Sequence, residues 1–291
     1  MKISRITVCS SLIAVSALGV FNTYAGETNL GISSLLERVQ SLGIEDVPGT
    51  AAPGTPVWES IPVETAGEKI VYPNASNYRD FRYHALIIGF DANGSTGNEP
   101  FASQLSAFLE KWRCFSKGSI TLLKGFEATK QRIKDTITNL RLDSKDVIVV
   151  YYQGHGGREG VVSSDQQYLS PDELSGYMQQ SGAGFKVLLV SACYSGIFVR
   201  PDENGYNFQR DGFAVATSGE EGPTSTYEGI GFGPYLLQVL NMKQQDSEGI
   251  LTLEEFVNFI KHKNAFWSQH GNFHLSDGRN SGPKDSVLFW K

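Results

Sequence analysis

Val147 to Gly157, VIVVYYQGHGG, and Val187 to Gly196, VLLVSACYSG, decide how this chain of 291 residues folds. Each begins as a run of apolar, mostly β-branched residues suited to a strand buried on both faces, and each ends in a turn of small residues. The first turn presents His155 and the second presents Cys193. Ligands collect at the C-terminal ends of strands in an open parallel sheet, so two neighbouring strands of this kind bring an imidazole and a thiol together. Those two groups are a nucleophile and its base.

Outward from these strands, the chain alternates strand and helix from Tyr83 onward. His84 to Phe90 reads as a buried first strand, and Phe101, Leu105, Phe108, Leu109 and Trp112 recur at helical spacing. Ile120 to Leu123 is a second strand, Thr129 caps a helix carrying Ile133, Ile137 and Leu140, and Asp146 leads into the histidine strand. Ser170-Pro171-Asp172-Glu173 combines a serine cap, a proline at the first helical position and a capping-box glutamate. After the cysteine strand come a strand at Phe213 to Thr217, helices at Pro234 to Leu240 and Thr252 to Ile260, and a last strand at Ser286 to Trp290. Such alternation predicts an α/β fold with a mostly parallel sheet covered by helices on both faces.

The first 25 residues hold Lys2 and Arg5, an apolar stretch from Ile6 to Val20, and the small-residue pattern Thr23-Tyr24-Ala25. This is the pattern of a secretory signal peptide cleaved after Ala25, and about fifteen weakly apolar residues fall short of the roughly twenty that span a bilayer. The mature chain is expected to be secreted or periplasmic, with no membrane anchor. Residues 26–82 contain one amphipathic stretch, Ile32 to Leu42, and then a run rich in Pro, Gly and Thr without helical or strand period. They read as an N-terminal extension, pro-segment or linker ahead of a domain spanning 83–291. Cleavage removes two positive charges from a net −6, leaving −8, which speaks against a nucleic-acid partner. Cys114 and Cys193 remain, too few for a disulfide-stapled scaffold.

Thiol-mediated amide hydrolysis needs a nucleophile that loses its proton, an acid for the leaving amine, and donors for the tetrahedral oxyanion. Cys193 and His155 are the candidates for the first two. Gly154, Gly156 and Gly157 are expected to permit positive φ and close approach of substrate. Ser195 lacks the glycine two positions earlier that a serine nucleophile elbow requires. Cys114, at the end of an amphipathic helix, reads as a small core hydrophobe. His262, His270 and His274 have no carboxylate or cysteine at ligand spacing, and Asp246 to Phe256 lacks the alternating ligands of a calcium loop, so neither a metal nor another cofactor is expected.

The succession LIIGF, an EAT segment leading into a helix, a strand ending in QGHGG and a strand ending in SACYSG, with His155 and Cys193 38 residues apart, resembles the caspase-like fold of caspases, metacaspases, legumains and gingipain- or clostripain-type peptidases. The SACYSG block and the later ATSGEEGPTSTYEG stretch are similar to legumain-like bacterial enzymes. The resemblance covers about Tyr83 to Lys291 and implies a three-layer α/β peptidase domain. It implies an endopeptidase acting on protein or peptide substrates, with His155 mainly protonating the leaving group and the backbone N–H groups of Gly156 and Cys193 forming the oxyanion hole. It also implies that the P1 pocket is built from Asp91 to Gly97, Ser191, and Ser218 to Glu228.

Ser191 stands where legumains carry a glutamate and metacaspases an aspartate. Asp91, Glu220, Glu221 and Glu228 make the pocket segments acidic, with no Lys or Arg among them. An aspartate-specific pocket needs a guanidinium fork, so the expected order of P1 preference is Arg or Lys, then Asn, then Asp. Candidate substrate-binding residues are Asp91, Ser191, Ser218, Glu220 and Glu228. Two other outcomes fit the same residues: a catalytically idle binding protein, and a transpeptidase or ligase in which an amine intercepts the thioester.

Overall fold

The computed structural model describes residues 71–91, 98–199, 208, 212–218, 233–269 and 280–291. The expected signal peptide, most of the extension, Ala92 to Gly97, Arg200, Glu220, Glu221, Glu228, His270 and His274 lie outside the described residues.

The core elements in chain order are β1 (Arg82–Gly89), α1 (Asn98–Leu109), β2 (Phe115–Lys124), α2 (Lys130–Thr138) and β3 (Asp146–Gln153). A small antiparallel sheet follows, β4 (Gly156–Gly157), β5 (Gly160–Val162) and β6 (Tyr168–Leu169). Then come α3 (Pro171–Gln180), β7 (Phe185–Ser191), β8 (Phe213–Thr217), α4 (Gly233–Gln245), β9 (Ile250–Thr252), α5 (Leu253–Gln269), β10 (Asn280–Ser281) and β11 (Val287–Trp290). The main sheet runs β10-β8-β7-β3-β1-β2, parallel throughout except for the short edge strand β10. This is the mostly parallel α/β sheet that the alternating pattern predicts.

Alternate residues of each central strand serve the two helix layers. Leu86, Ile88, Ile148, Val150, Leu188 and Val190 pack with Ile133 and Ile137 of α2 and Leu174 and Met178 of α3. Their neighbours face the other layer, where Phe101 of α1 meets Tyr151 with ring centroids 6.1 Å apart, and α4 packs on α1. Full burial of each such aliphatic chain contributes about 1.5–3 kcal/mol, which is why β3 tolerates no exposed residue from Asp146 to Gln153.

The caps form as their residues dictate. Thr129 accepts from the Arg132 N–H, and Ser170 with Glu173 makes a reciprocal capping box at α3. Thr252 and Glu255 make the same exchange at α5, and Glu255 also holds Lys243. The calcium-like stretch is therefore a turn and a capped helix, with Asp246 and Glu255 both paired with Lys243.

Three features depart from expectation. Residues 72–81, assigned to the extension, pack on the domain: the Pro73 carbonyl accepts from the Val287 N–H, and Tyr78 meets Trp290 edge-on at 5.4 Å. The boundary drawn at residue 82 falls inside packed structure. The last strand, β11, pairs antiparallel with β9 in a separate two-stranded sheet. Strand β2 runs longer than expected because Phe115 rejoins Tyr83 beyond an irregularity that precedes the Ala85–Ile120 pairing.

Candidate active site

Parallel pairing of β3 with β7 places Gln153 opposite Ser191 at the last rung of the ladder. His155 and Cys193 each lie two residues beyond that rung, so strands about 4.8 Å apart deliver the two turns side by side. The Gly154 N–H donates to the Ser191 carbonyl at 3.1 Å, extending the contact past the ladder. Gly156 then lies directly on the Cys193 peptide. A Cβ at Gly156 would run into the Cys193 carbonyl oxygen and stand 3.1 Å from the Ala192 Cβ.

Close approach is what these glycines supply. None of Gly154, Gly156 and Gly157 has a positive φ, so the freedom they permit goes unused here. Gly154 leaves room for Tyr152, whose hydroxyl would be 2.6 Å from a Cβ there. That hydroxyl is within reach of two carbonyls, His155 at 2.8 Å and Val162 at 2.7 Å, and it ties the histidine turn to the start of the small sheet. The His155 carbonyl also accepts from the Val162 N–H at 2.9 Å. This bond makes Gly156 and Val161 a non-hydrogen-bonded pair, so the Gly156 N–H points away from the ladder.

The imidazole of His155 stands edge-on to Phe90, centroids 6.4 Å apart. Its Nε2 is buried and has no hydrogen-bond partner among the described residues. Cys193 is partly exposed and takes part in no disulfide among the described residues. After it, Tyr194 adopts φ +57, the left-handed region that a side chain disfavours, before the chain enters a short 3₁₀ turn at Ser195–Val199. Ser195 is buried in that turn, and its N–H donates to the Ala192 carbonyl at 3.4 Å.

The specificity candidates divide. Asp91 is buried, and its carboxylate accepts from the Asn98 and Glu99 N–H groups, both at 3.2 Å. It caps α1 from seven residues upstream, placing negative charge at the helix start. That is a structural task, and the loop after Asp91 that was expected to line the pocket lies outside the described residues. Ser191 is buried at the end of β7 beside the Tyr151 hydroxyl. Ser218 is buried as well: its hydroxyl accepts from the Ala192 N–H at 3.1 Å, one peptide before Cys193. It holds the cysteine turn against β8. Glu220 and Glu228 lie outside the described residues.

Several site residues escaped the sequence reading. Tyr152 was legible only as a second aromatic in an aliphatic strand. The polar chain from Tyr151 through Gln153 to Asn98, with the Asn98 amide donating to the Phe90 carbonyl, needs three elements to meet. The hairpin formed by β4, β5 and β6 had no clear period in strands of two or three residues.

The two thiols differ sharply. Burial pushes the Cys114 thiol up to about 12, so it stays protonated and inert at neutral pH. Brief treatment of the native protein with iodoacetamide at pH 7.5 is expected to alkylate the peptide holding Cys193 and spare the one holding Cys114. Peptide mass spectrometry reads the result; comparable labelling of Cys114 would remove the chemical distinction between them.

Sheet order and helix layers define an α/β fold with a mostly parallel sheet covered by helices, and its two strand-end turns meet. Residues 115–228, the segment that carries both turns, match the model of the Peptidase C13 family. Among solved structures, protein GSU0716 from Geobacter sulfurreducens is similar at 17% identity and a TM-score of 0.48, over 69% of this chain and 94% of that one. Caspase-1 from Spodoptera frugiperda is similar at 18% identity and a TM-score of 0.44, over 70% of this chain and 85% of that one. No curated protein matches.

Proposed function

We propose that this chain is a secreted cysteine endopeptidase whose nucleophile is Cys193 and whose acid and base is His155. The observation that carries the reading is the seating of Gly156 on the Cys193 peptide, which brings the imidazole turn and the thiol turn into van der Waals contact. The Cys193 sulfur, its proton passed to His155, adds to the scissile carbonyl. The oxyanion is held by the N–H groups of Gly156, which the hairpin ladder leaves unused, and of Cys193. Collapse breaks the C–N bond, the imidazolium returns its proton to the departing amine, and water, deprotonated by His155, hydrolyses the thioester.

Secretion rests on the charged, apolar and small-residue succession of the first 25 residues. Among the described residues no helix is long and apolar enough to cross a membrane. With Asp91 occupied at α1, the preference for Arg or Lys at P1 rests on Glu220, Glu221 and Glu228, which share their segment with no Lys or Arg. Incubation with a peptide library varied at P1 is expected to show cleavage after Arg or Lys. Cleavage confined to Asn would overturn the ranking, and cleavage of no peptide would count against the enzyme itself.

A further inference from the structure

The hairpin after His155 is more than a spacer. Gly157, next to the oxyanion donor, is covered by the phenol of Tyr168: a Cβ at Gly157 would stand 2.9 Å from the ring's Cε1 and hydroxyl. The backbone beneath that ring is held firmly. Tyr168 pairs with Val162, its carbonyl accepts from Lys130 Nζ at 2.9 Å, and Lys130 is itself ion-paired with Glu173. Its neighbour Leu169 is buried, whereas Tyr168 keeps 40% of its surface exposed. A large aromatic, its backbone held by the hairpin and half open to solvent, thus lies over Gly157, the residue after Gly156.

The direction of the reaction says what passes there. The amine that leaves is protonated by His155, so the substrate residues following the scissile bond depart on the His155 side, where Gly156 and Gly157 follow in the chain. Building on the peptidase reading above, we propose that Tyr168 forms the floor of the primed-side subsite and selects apolar or aromatic residues in the first two positions after the cut. Its phenol face offers such a side chain edge or stacked contact, and the missing side chain at Gly157 is what lets the ring lie against the backbone there.

The test uses internally quenched peptides with Arg or Asn at P1 and either Phe-Leu or Gly-Gly in the next two positions, each cut site verified by mass spectrometry. Wild-type protein is expected to favour Phe-Leu by roughly tenfold in kcat/KM, the size of one good aromatic contact. Tyr168→Ala brings that ratio close to one, and Tyr168→Phe retains it. A Tyr168 serving only to cover the hairpin would slow both peptides alike, so an unchanged ratio in Tyr168→Ala overturns the assignment, as does a wild-type preference for Gly-Gly. Failure of the wild type to cut any peptide, with Cys193 intact, overturns the peptidase reading and this subsite with it.

Discussion

Cys193→Ala is expected to abolish peptide hydrolysis, with kcat/KM falling by at least about 10³-fold, while the folded protein persists. The side chain removed is small and partly exposed at the end of β7, so little packing is lost. The turn itself is held by other groups: the Ser218 hydroxyl on the Ala192 N–H and the Ser218 N–H on the Val190 carbonyl. A melting temperature within a few degrees of wild type, read by circular dichroism, separates lost chemistry from lost structure. The residual rate expected is that of binding and oxyanion stabilisation without a nucleophile. Hydrolysis that survives in the variant would transfer the nucleophile elsewhere. Normal binding of peptide with no turnover in the wild type would favour the idle binding protein, and transfer of the acyl group to an added amine in preference to water would favour the ligase.

Gly156→Ala is the second large effect, expected to lower kcat by about 10²–10³. The added methyl cannot be accommodated by a rotamer change, because what it meets is the Cys193 carbonyl, and the Ala192 Cβ closes the other side. Either the histidine turn lifts off the cysteine turn or the Cys193 peptide rotates. Both displace an oxyanion donor by a distance comparable to a hydrogen bond's tolerance. Because β3 and β7 pair below the turns, the sheet survives. Steady-state kinetics beside iodoacetamide labelling of Cys193 distinguish the cases: labelling persists and turnover collapses. Near-normal turnover would mean that Gly156 is not the donor.

These two variants probe a site of which one half was open to reading from residues. His155 and Cys193 were identifiable because each ends an unbroken apolar run, and small-residue turns after two such runs are a local pattern. The same holds for the Ser170 capping box and the helix faces of α2 and α3, where spacing alone sets which residues meet the sheet. Short-range chemistry of this kind leaves its mark within ten residues.

The roles of Asp91, Ser218 and Tyr152 leave no such mark. Asp91 carries the same carboxylate whether it lines an acidic pocket or caps a helix, and its use at α1 depends on where the chain returns seven residues later. Ser218 matters through an N–H that is 26 residues away in sequence and one strand away in space. Tyr152 holds the His155 turn only because a hairpin brings the Val162 carbonyl back beside it. The residue pattern therefore determined the α/β alternation, the buried strands and the placing of His155 and Cys193 just past two strand ends, since these depend on periodicity and local turns. The folded chain decided which polar groups are committed to its own backbone and how closely Gly156 meets Cys193, since contacts between distant segments exist only after packing.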